Sequence, residues 1–149
     1  MKAEDVVKLV KKQITDVKIP NERRVFASVD KQKYKETLLA LKSNDITHLS
    51  TITGVDLGEQ IVVIYHLDCG DGVLLNLKVP LPKNDPRLQT VTDIFPGAVL
   101  YERDLMDMLG VKVEGHPDPR RIFLPEDWPA GKYPLRKEAP KEEAPEAKK

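Results

Sequence analysis

The chain has 149 residues, and its 24 basic and 24 acidic side chains cancel to a formal net charge of zero. This length predicts one domain with a tail, and the charge balance argues against a nucleic-acid-binding protein and against a polybasic membrane anchor. The single cysteine, Cys69, excludes an internal disulfide and any cysteine-rich metal or iron–sulfur site built by this chain alone.

The N-terminal part of the sequence has the pattern of two helices separated by a strand. Hydrophobic periodicity predicts a helix over residues 3–14, a strand over 23–30, and a second helix that follows Asp30 and reaches Lys42. Val6, Val7, Val10 and Ile14 are expected to share one face of the first helix, and Asp30 is the expected N-cap of the second.

Three β-rich stretches follow in series: ITHLSTITGVD, QIVVIYHLD and VLLNLKVPL, at residues 46–56, 60–68 and 73–81. The short links LGE and CGDG between them are typical of tight hairpin turns. We therefore expect an antiparallel β-meander with helices on one face, which is an α+β fold. The longest apolar run, IVVIY, is far shorter than the roughly 20 residues of a membrane span, so membrane association is expected only through partners.

The C-terminal third begins with helical patterns. Residues 87–91 predict a short helical piece, and residues 98–109 predict a longer helix that Gly110 ends. The expected buried stripe of this longer helix consists of Ala98, Tyr101, Leu105 and Met108.

The sequence beyond this helix loses its periodicity. Residues 111–135 contain five prolines, which fix φ and remove amide donors, so an extended, stiff segment is expected. The final KEAPKEEAPEAKK is charged and of low complexity, which is typical of disorder. The expected organisation is an α+β core domain over 1–110, an extended docking strap over 111–136 (the strap) and a disordered charged tail over 137–149.

The stretch GHPDPRR, residues 115–121, concentrates the polar chemistry of the strap. His116 and Asp118 could ligate a metal, but zinc needs three or four protein ligands, so a metal site is not expected. Cys69 is a poor candidate nucleophile, because its acidic neighbours Asp68 and Asp71 should raise the pKa of the thiol. The sequence contains no nucleophile elbow, phosphate-binding loop or dinucleotide fingerprint.

Charged residues on the helix before the strap leave two interpretations open. Arg103 and Asp107 have the spacing of an i, i+4 ion pair. A proline-stiffened strap with arginines and aromatic residues suits protein docking, because rigidity lowers the ordering cost and these residue types dominate binding energy. The alternative is a free-standing enzyme that uses Glu102, Asp107 and His116 for acid–base chemistry.

A family resemblance rests on YERDLMDMLGVKVEGHPDPRRIFLPEDWPAGKYPLRKE, residues 101–138. Its elements are an acidic helix ERD-x-x-D-M, then GHPD-x-RR, PEDWP and YPLRK in that order. This stretch closely resembles the 30 kDa component of respiratory complex I (NADH dehydrogenase) and its relatives. These relatives include membrane-bound, energy-converting nickel–iron hydrogenases and ferredoxin-linked complexes, and the hydrogenase-type members are the most similar in style.

The resemblance implies a non-catalytic subunit of the hydrophilic arm that binds no cofactor itself. The expected partners are a large subunit (the 49 kDa or hydrogenase-large homologue), a small iron–sulfur subunit and a ferredoxin-like subunit. Iron–sulfur clusters, and nickel–iron in hydrogenase-type members, would belong to those partners. The complex would lie at the cytoplasmic face of the cell membrane and couple electron transfer to ion translocation. The alternative within the family is the same role in an NADH- or quinone-linked or sulfur-reducing complex.

The resemblance also implies which residues dock. Arg120 and Arg121 are expected to pair with carboxylates or carbonyls of the partner, or with Glu102 and Asp107 of this chain, while His116 and Asp118 fix the turn. The full set of expected docking residues is Glu102, Arg103, Asp107, His116, Asp118, Arg120, Arg121, Trp128, Tyr133 and Arg136. The composition, rich in Lys, Glu and Pro, also hints at a thermophile.

Overall fold

The β-branched and apolar stretches in the middle of the chain build a five-stranded sheet. The computed structural model describes residues 1–137, and the strands of this sheet are β1 (Ile14–Asn21), β2 (Arg24–Val29), β3 (His48–Asp56), β4 (Gln60–Asp68) and β5 (Leu74–Pro82). Their order across the sheet is β1-β2-β5-β4-β3. β2 runs parallel to β5, and the other neighbouring pairs are antiparallel. The predicted α+β class and the meander of β3, β4 and β5 are confirmed.

The apolar stripes of the helices pack on the sheet to form the core. The remaining elements are α1 (Ala3–Val10), α2 (Tyr34–Ser43), α3 (Ala98–Leu109), β6 (Arg87–Gln89) and β7 (Lys112–Glu114). Leu38 of α2, Leu77 of β5 and Leu105 of α3 belong to the same buried cluster. Each such side chain contributes about 1.5–3 kcal/mol through burial, so this cluster dominates the stability of the fold.

The first predicted helix is too long, and a strand was missed. α1 ends at Val10, and Ile14 begins β1, whose register against β2 shifts twice within its eight residues. Val6, Val10 and Ile14 are all buried, so they do share a common core. Spacing alone could not show that Ile14 reaches this core from a strand, because the pairing of β1 with β2 is a tertiary contact that overrides the local period.

Two further local predictions are wrong for similar reasons. α2 begins at Tyr34, and the Asp30 carboxylate accepts a hydrogen bond from the Gln32 amide in the preceding turn (2.9 Å) instead of capping the helix. Residues 87–89 form β6 and not a helical piece, because they pair in parallel with β7. The two strands are separated in the sequence by the whole of α3. Neither three-residue strand is long enough to show a period in the sequence.

Helix α3 packs closely against the edge of the sheet at β3. A side chain at Gly54 would overlap Leu109, so this glycine permits the close approach. Gly110 ends α3 with φ at 68°, which confirms its predicted role. Ala98 and Leu105 are buried as predicted, whereas Tyr101 and Met108 are half-buried. The other buried positions of α3 are Glu102, Asp107 and Leu109.

The predicted tail starts at the last described position. Residues 138–149 lie outside the described residues. The Lys137 amide donates to Asp56 (2.7 Å), and the Lys137 carbonyl accepts from Lys83 (2.9 Å). The strap therefore leads to a position that is held against the turn between β3 and β4.

Candidate docking surface

The strap runs alongside α3 in the same direction, from the first turn of the helix to beyond its last. His116 fixes the start of this path. Its Nδ1 accepts from the Asp118 amide and its Nε2 lies 3.0 Å from the Val99 carbonyl. Because an amide can only donate, Nδ1 carries no proton and Nε2 donates to Val99. The prediction that His116 and Asp118 fix the turn agrees with this geometry.

Arg103 holds the strap at the second turn of α3. Its Nε donates to the Arg120 carbonyl (2.7 Å) and its Nη2 donates to the Arg121 carbonyl (2.9 Å). Its Nη1 also lies 3.6 Å from the Asp118 carboxylate. Among residues 1–137 the expected ion pair of Arg103 with Asp107 is not formed, because the planar guanidinium fork is used by two strap carbonyls.

Asp107 holds the strap at the third turn of α3. Its Oδ2 accepts from three consecutive amides, those of Ile122 (2.9 Å), Phe123 (2.9 Å) and Leu124 (3.2 Å). The carboxylate is buried. Three converging amides compensate the negative charge without a cation, in the manner of a backbone anion nest.

The two arginines of GHPDPRR also act within the strap. Arg120 forms a two-point pair with Asp118 (2.7 and 2.8 Å). The hydrogen bond from Arg120 and the charges of Arg120 and Arg103 hold the pKa of Asp118 at about 2. Nη1 of Arg121 donates to the carbonyls of Pro125 (2.8 Å), Glu126 (3.3 Å) and Trp128 (2.9 Å). Neither guanidinium pairs with Glu102 or Asp107, so that part of the expectation is wrong; pairing with a partner stays a prediction.

The end of the strap covers the C-terminus of α3. The Tyr133 ring lies so close to Gly110 that any side chain at Gly110 would overlap it. Arg136 donates from Nε to the Leu109 carbonyl (2.6 Å), and its guanidinium lies 4.8 Å from the centre of the Tyr133 ring. Arg136 therefore satisfies a carbonyl that has no partner within the helix. Earlier in the strap, the Trp128 indole donates to the Lys132 carbonyl (2.9 Å).

Asp56 anchors the end of the strap, and local sequence patterns give no sign of this role. Its carboxylate, whose side chain is 1% exposed, pairs with Lys83 (2.8 Å) and accepts from the amides of Gly58 (2.8 Å) and Lys137 (2.7 Å). Burial alone would raise its pKa, but these partners outweigh burial and lower the pKa to about 2. Asp56 and Lys137 are 81 residues apart, so no local signal could have revealed the contact.

Glu102 lies in the interior and holds a different segment. Its carboxylate accepts from the Thr90 hydroxyl (2.8 Å) and the Val91 amide (3.1 Å), in the loop after β6. Burial raises the pKa of the Glu102 carboxyl, and the bonds from Thr90 and Val91 offset part of that rise. The structure thus brings Arg103, Asp107 and the strap together and assigns Glu102 to the loop.

The acid–base enzyme hypothesis gains no support from this geometry. Glu102, Asp107 and His116 are each occupied by structural hydrogen bonds. Burial, with a smaller contribution from Asp68, raises the pKa of the Cys69 thiol to about 11. The direction is the expected one, but burial and not the acidic neighbours is its main cause. Within residues 1–137 no three His, Cys, Asp or Glu side chains are grouped as metal ligands. None of the described helices has the length and apolar character needed to cross a bilayer.

The anchored strap and α3 leave apolar side chains at the surface. Phe123 is 61% exposed, Leu135 is 58% exposed and Leu100 of α3 is 52% exposed. Residues flanking each of the two strap side chains are hydrogen-bonded to α3, so the backbone that carries them is already ordered. Such an arrangement can bind an apolar protein surface without first losing much conformational entropy.

Comparison with known proteins gives consistent matches. The family model for the 30 Kd subunit of respiratory-chain NADH dehydrogenase matches residues 27–145. The membrane-bound hydrogenase subunit beta of Pyrococcus furiosus is 34% identical over 146 residues, which cover 91% of this chain and 84% of that subunit. NADH-quinone oxidoreductase subunit 5 of Thermus thermophilus is 34% identical over 134 residues, which cover 81% of this chain and 64% of that subunit.

A solved structure is similar to most of this chain. It is that of the membrane-bound sulfane sulfur reductase, an archaeal respiratory membrane complex. The match has a TM-score of 0.79 and 31% sequence identity, and covers 89% of this chain and 82% of that chain. The three relatives have similar sequence identity to this chain, at 34%, 34% and 31%, although their names describe three different reactions.

Proposed function

The chain belongs to the family of the 30 Kd subunit of respiratory-chain NADH dehydrogenase, and from this premise we propose that it is a non-catalytic subunit of a complex I-related, ion-translocating membrane oxidoreductase. Its relatives are subunits of such complexes, which supports a subunit role. In this role the chain docks onto the large catalytic-type subunit and stabilises the hydrophilic arm. It binds no cofactor itself.

One observation carries the docking proposal: the strap is ordered before any partner binds. Arg103 and Asp107 of α3 hold its backbone at five hydrogen bonds, while Phe123 remains exposed. A segment used only to complete its own domain would be expected to bury its large apolar side chains. Exposure of Phe123 and Leu135 on a rigid backbone is instead typical of a binding surface.

The partners and cofactors follow from the family. We infer a large subunit, a small iron–sulfur subunit and a ferredoxin-like subunit as neighbours, with the clusters and any nickel–iron centre held by them. The chain would reach the cytoplasmic face of the membrane only through these subunits. A hydrogenase-type or ferredoxin-linked complex is the first candidate, supported by the high coverage of the Pyrococcus subunit. A quinone- or sulfur-reducing complex is the second, supported by similar identity to those relatives.

The proposal is tested by isolating the chain from its native membranes in mild detergent. Co-purifying proteins are identified by mass spectrometry, and the metal content of the particle is measured. A large subunit, an iron–sulfur subunit and nickel together would support the hydrogenase-type complex. The same proteins without nickel would support the quinone- or sulfur-reducing alternative, whereas a chain that elutes alone would contradict the subunit role.

Replacing both Arg120 and Arg121 by alanine is expected to reduce incorporation into the complex several-fold and to leave the isolated fold intact. Arg121 should carry most of the loss, because it holds three carbonyls, while the exposed pair of Arg120 with Asp118 contributes little. Incorporation is measured from the ratio of tagged variant to untagged chain in the purified particle. Arg120→Ala alone is the matched control, and equal incorporation of the double variant and the wild type would contradict the docking role of the strap.

A further inference from the structure

One face of the five-stranded sheet carries a second group of apolar side chains. The buried core contains apolar residues of all three helices together with alternate residues of the strands, such as Leu75 and Leu77 of β5. The remaining alternate positions therefore point to the opposite side of the sheet (the outer face). Apolar residues of the outer face that lie outside this core are Phe26, Val55, Val62, Ile64 and Leu74.

Strand pairing joins these side chains into a continuous patch. Val55 of β3 lies opposite Val62 of β4, which in turn lies opposite Pro80 of β5. Ile64 follows Val62 on the same side of β4. When one face of an antiparallel sheet meets water, that face is normally polar, and a continuous apolar patch marks an interaction site.

The centre of the outer face is held rigid by side-chain hydrogen bonds. The His66 ring bonds through Nδ1 to the Asn76 side-chain oxygen (2.6 Å) and through Nε2 to the Thr53 hydroxyl (2.9 Å). The Asn76 side-chain nitrogen donates to the Val25 carbonyl (3.2 Å). Because these side chains are already fixed, covering them with a protein surface costs little conformational entropy.

Three cations lie on the outer face around this patch. The Lys78 ammonium is 5.3 Å from the centre of the Phe26 ring. Lys18 of β1 is aligned with Phe26, and Arg24 lies two residues before Phe26 on the same side of β2. Within residues 1–137 none of these three cations forms an ion pair. Each of them can therefore meet a carboxylate from outside the chain.

The carboxylates on this side of the sheet lie towards the strand ends and not at its centre. Asp68, the last residue of β4, accepts a backbone amide in its own turn (2.9 Å). Asp16 and Asp30 line a groove at one corner together with Lys33. Between these places the outward strand positions, all of them among residues 14–82, carry two of the three cations and no carboxylate.

We propose that a second subunit of the same complex docks on the outer face through an apolar surface that carries carboxylates. This inference rests on the proposed function, but the second partner binds on the side of the sheet opposite to α3 and the strap. Contact with the patch would supply the apolar burial, and carboxylates facing Lys18, Arg24 and Lys78 would determine the choice and orientation of the partner. The chain would then join two subunits, one on each side of its sheet.

A second copy of this chain fits the outer face less well. Two-fold pairing of identical faces would set one positive surface against another. With strands about 4.8 Å apart and a rise of about 3.3 Å per residue, four strands present roughly 20 by 25 Å, or on the order of 500 Å², whereas a stable interface covers about 800 Å² per partner. A contact of this size suits a subunit that other contacts also hold. A lipid surface fits less well too, because the apolar side chains belong to a pleated sheet and do not form a helix face that enters the headgroup layer.

The test places a photocrosslinker on the outer face while the chain is in its native membrane complex. Val55→p-benzoylphenylalanine, at an exposed position of the patch, is compared with Phe123→p-benzoylphenylalanine on the strap. Mass spectrometry identifies the crosslinked peptides. We expect the Val55 variant to crosslink to a different subunit from the Phe123 variant, at a segment that contains Asp or Glu. A crosslink to the same subunit, to a second copy of this chain or to lipid would overturn the proposal, as would no crosslink at all.

Charge reversal tests the electrostatic part. Lys18→Glu combined with Arg24→Glu reverses two exposed cations of the outer face, and Lys11→Glu combined with Lys12→Glu, in the turn after α1, is the matched control. We expect the first pair to lower incorporation of the tagged chain into the complex about tenfold, since rim charges guide association, and the control pair to incorporate normally. Equal incorporation of the two double variants would overturn the proposal.

Thermal unfolding of the isolated full-length variants separates docking from folding. Both double variants should unfold at the wild-type temperature, because the replaced side chains are exposed and form no ion pair within residues 1–137. A loss of incorporation matched by a lower unfolding temperature would overturn the electrostatic argument. Failure of the outer face alone leaves the proposed function standing, whereas absence of the wild-type chain from the membrane complex would overturn both.

Discussion

Asp56→Ala is expected to lower the free energy of unfolding by about 3 kcal/mol, because it leaves the Lys83 ammonium and two amides without their buried acceptor. The carboxylate is held by Lys83 and by the amides of Gly58 and Lys137. Urea unfolding measures this loss. Asp127→Ala, at an exposed position of the strap, is the control and should change stability little.

The same site predicts a pH dependence of stability. The pKa of Asp56 is lowered from 3.8 to about 2 in the folded chain, so the ionised form stabilises the fold by roughly 2 kcal/mol. The contribution is complete above about pH 4 and is lost as the pH falls through about 2. The difference in unfolding free energy between the wild type and Asp56→Asn should shrink over this range. A constant difference would show that the pKa of Asp56 is not lowered.

Asp107→Ala is expected to release the middle of the strap and to lower the free energy of unfolding by about 2–3 kcal/mol. Three consecutive amides, those of Ile122, Phe123 and Leu124, lose one common acceptor. Hydrogen exchange at these amides should accelerate far more than exchange in the central strands. Incorporation into the complex should fall in parallel, since Phe123 would no longer sit on an ordered backbone.

Asp107→Asn provides the matched comparison. Its side-chain oxygen can still accept from the strap, but without a negative charge, so we expect roughly half of the destabilisation of Asp107→Ala. If the two variants are equally destabilised, the charge matters more than the acceptor. Slow exchange at Ile122–Leu124 in Asp107→Ala would contradict the anchoring role itself.

Local patterns were enough to predict the elements that need no distant partner. Helix α3 has the predicted limits, Ala98–Leu109, since its apolar period and Gly110 are both local signals. The hairpins of β3, β4 and β5 follow from β-rich runs joined by turns of the expected length. By contrast, β1, β6 and β7 are defined by their pairing partners. Local patterns extended the first helix to Ile14 at the start of β1, predicted a helical piece at β6 and showed no period at β7.

In the docking surface, too, local patterns identified residues but not the distant groups that they contact. The motif order singled out Arg103 and Asp107, but the spacing rule assigned them to each other. In the folded chain both face a third element, the strap, whose carbonyl and amide groups carry no sequence signature. Asp56 was missed because its partner Lys137 is distant in the chain.

The parallel pairing of β2 with β5 has a consequence for how the chain acquires its fold. β1 with β2, and β3 with β4 and β5, are units whose strands lie close in sequence, and they join only where Arg24 to Ser28 align with Leu74 to Lys78. Closing that long loop costs conformational entropy before the contacts between β2 and β5 can form. The pairing of β2 with β5 should therefore form late and limit the folding rate. During synthesis, the β2 edge of the first hairpin therefore stays unpaired until β5 has left the ribosome. The chain is most prone to misassembly during this interval.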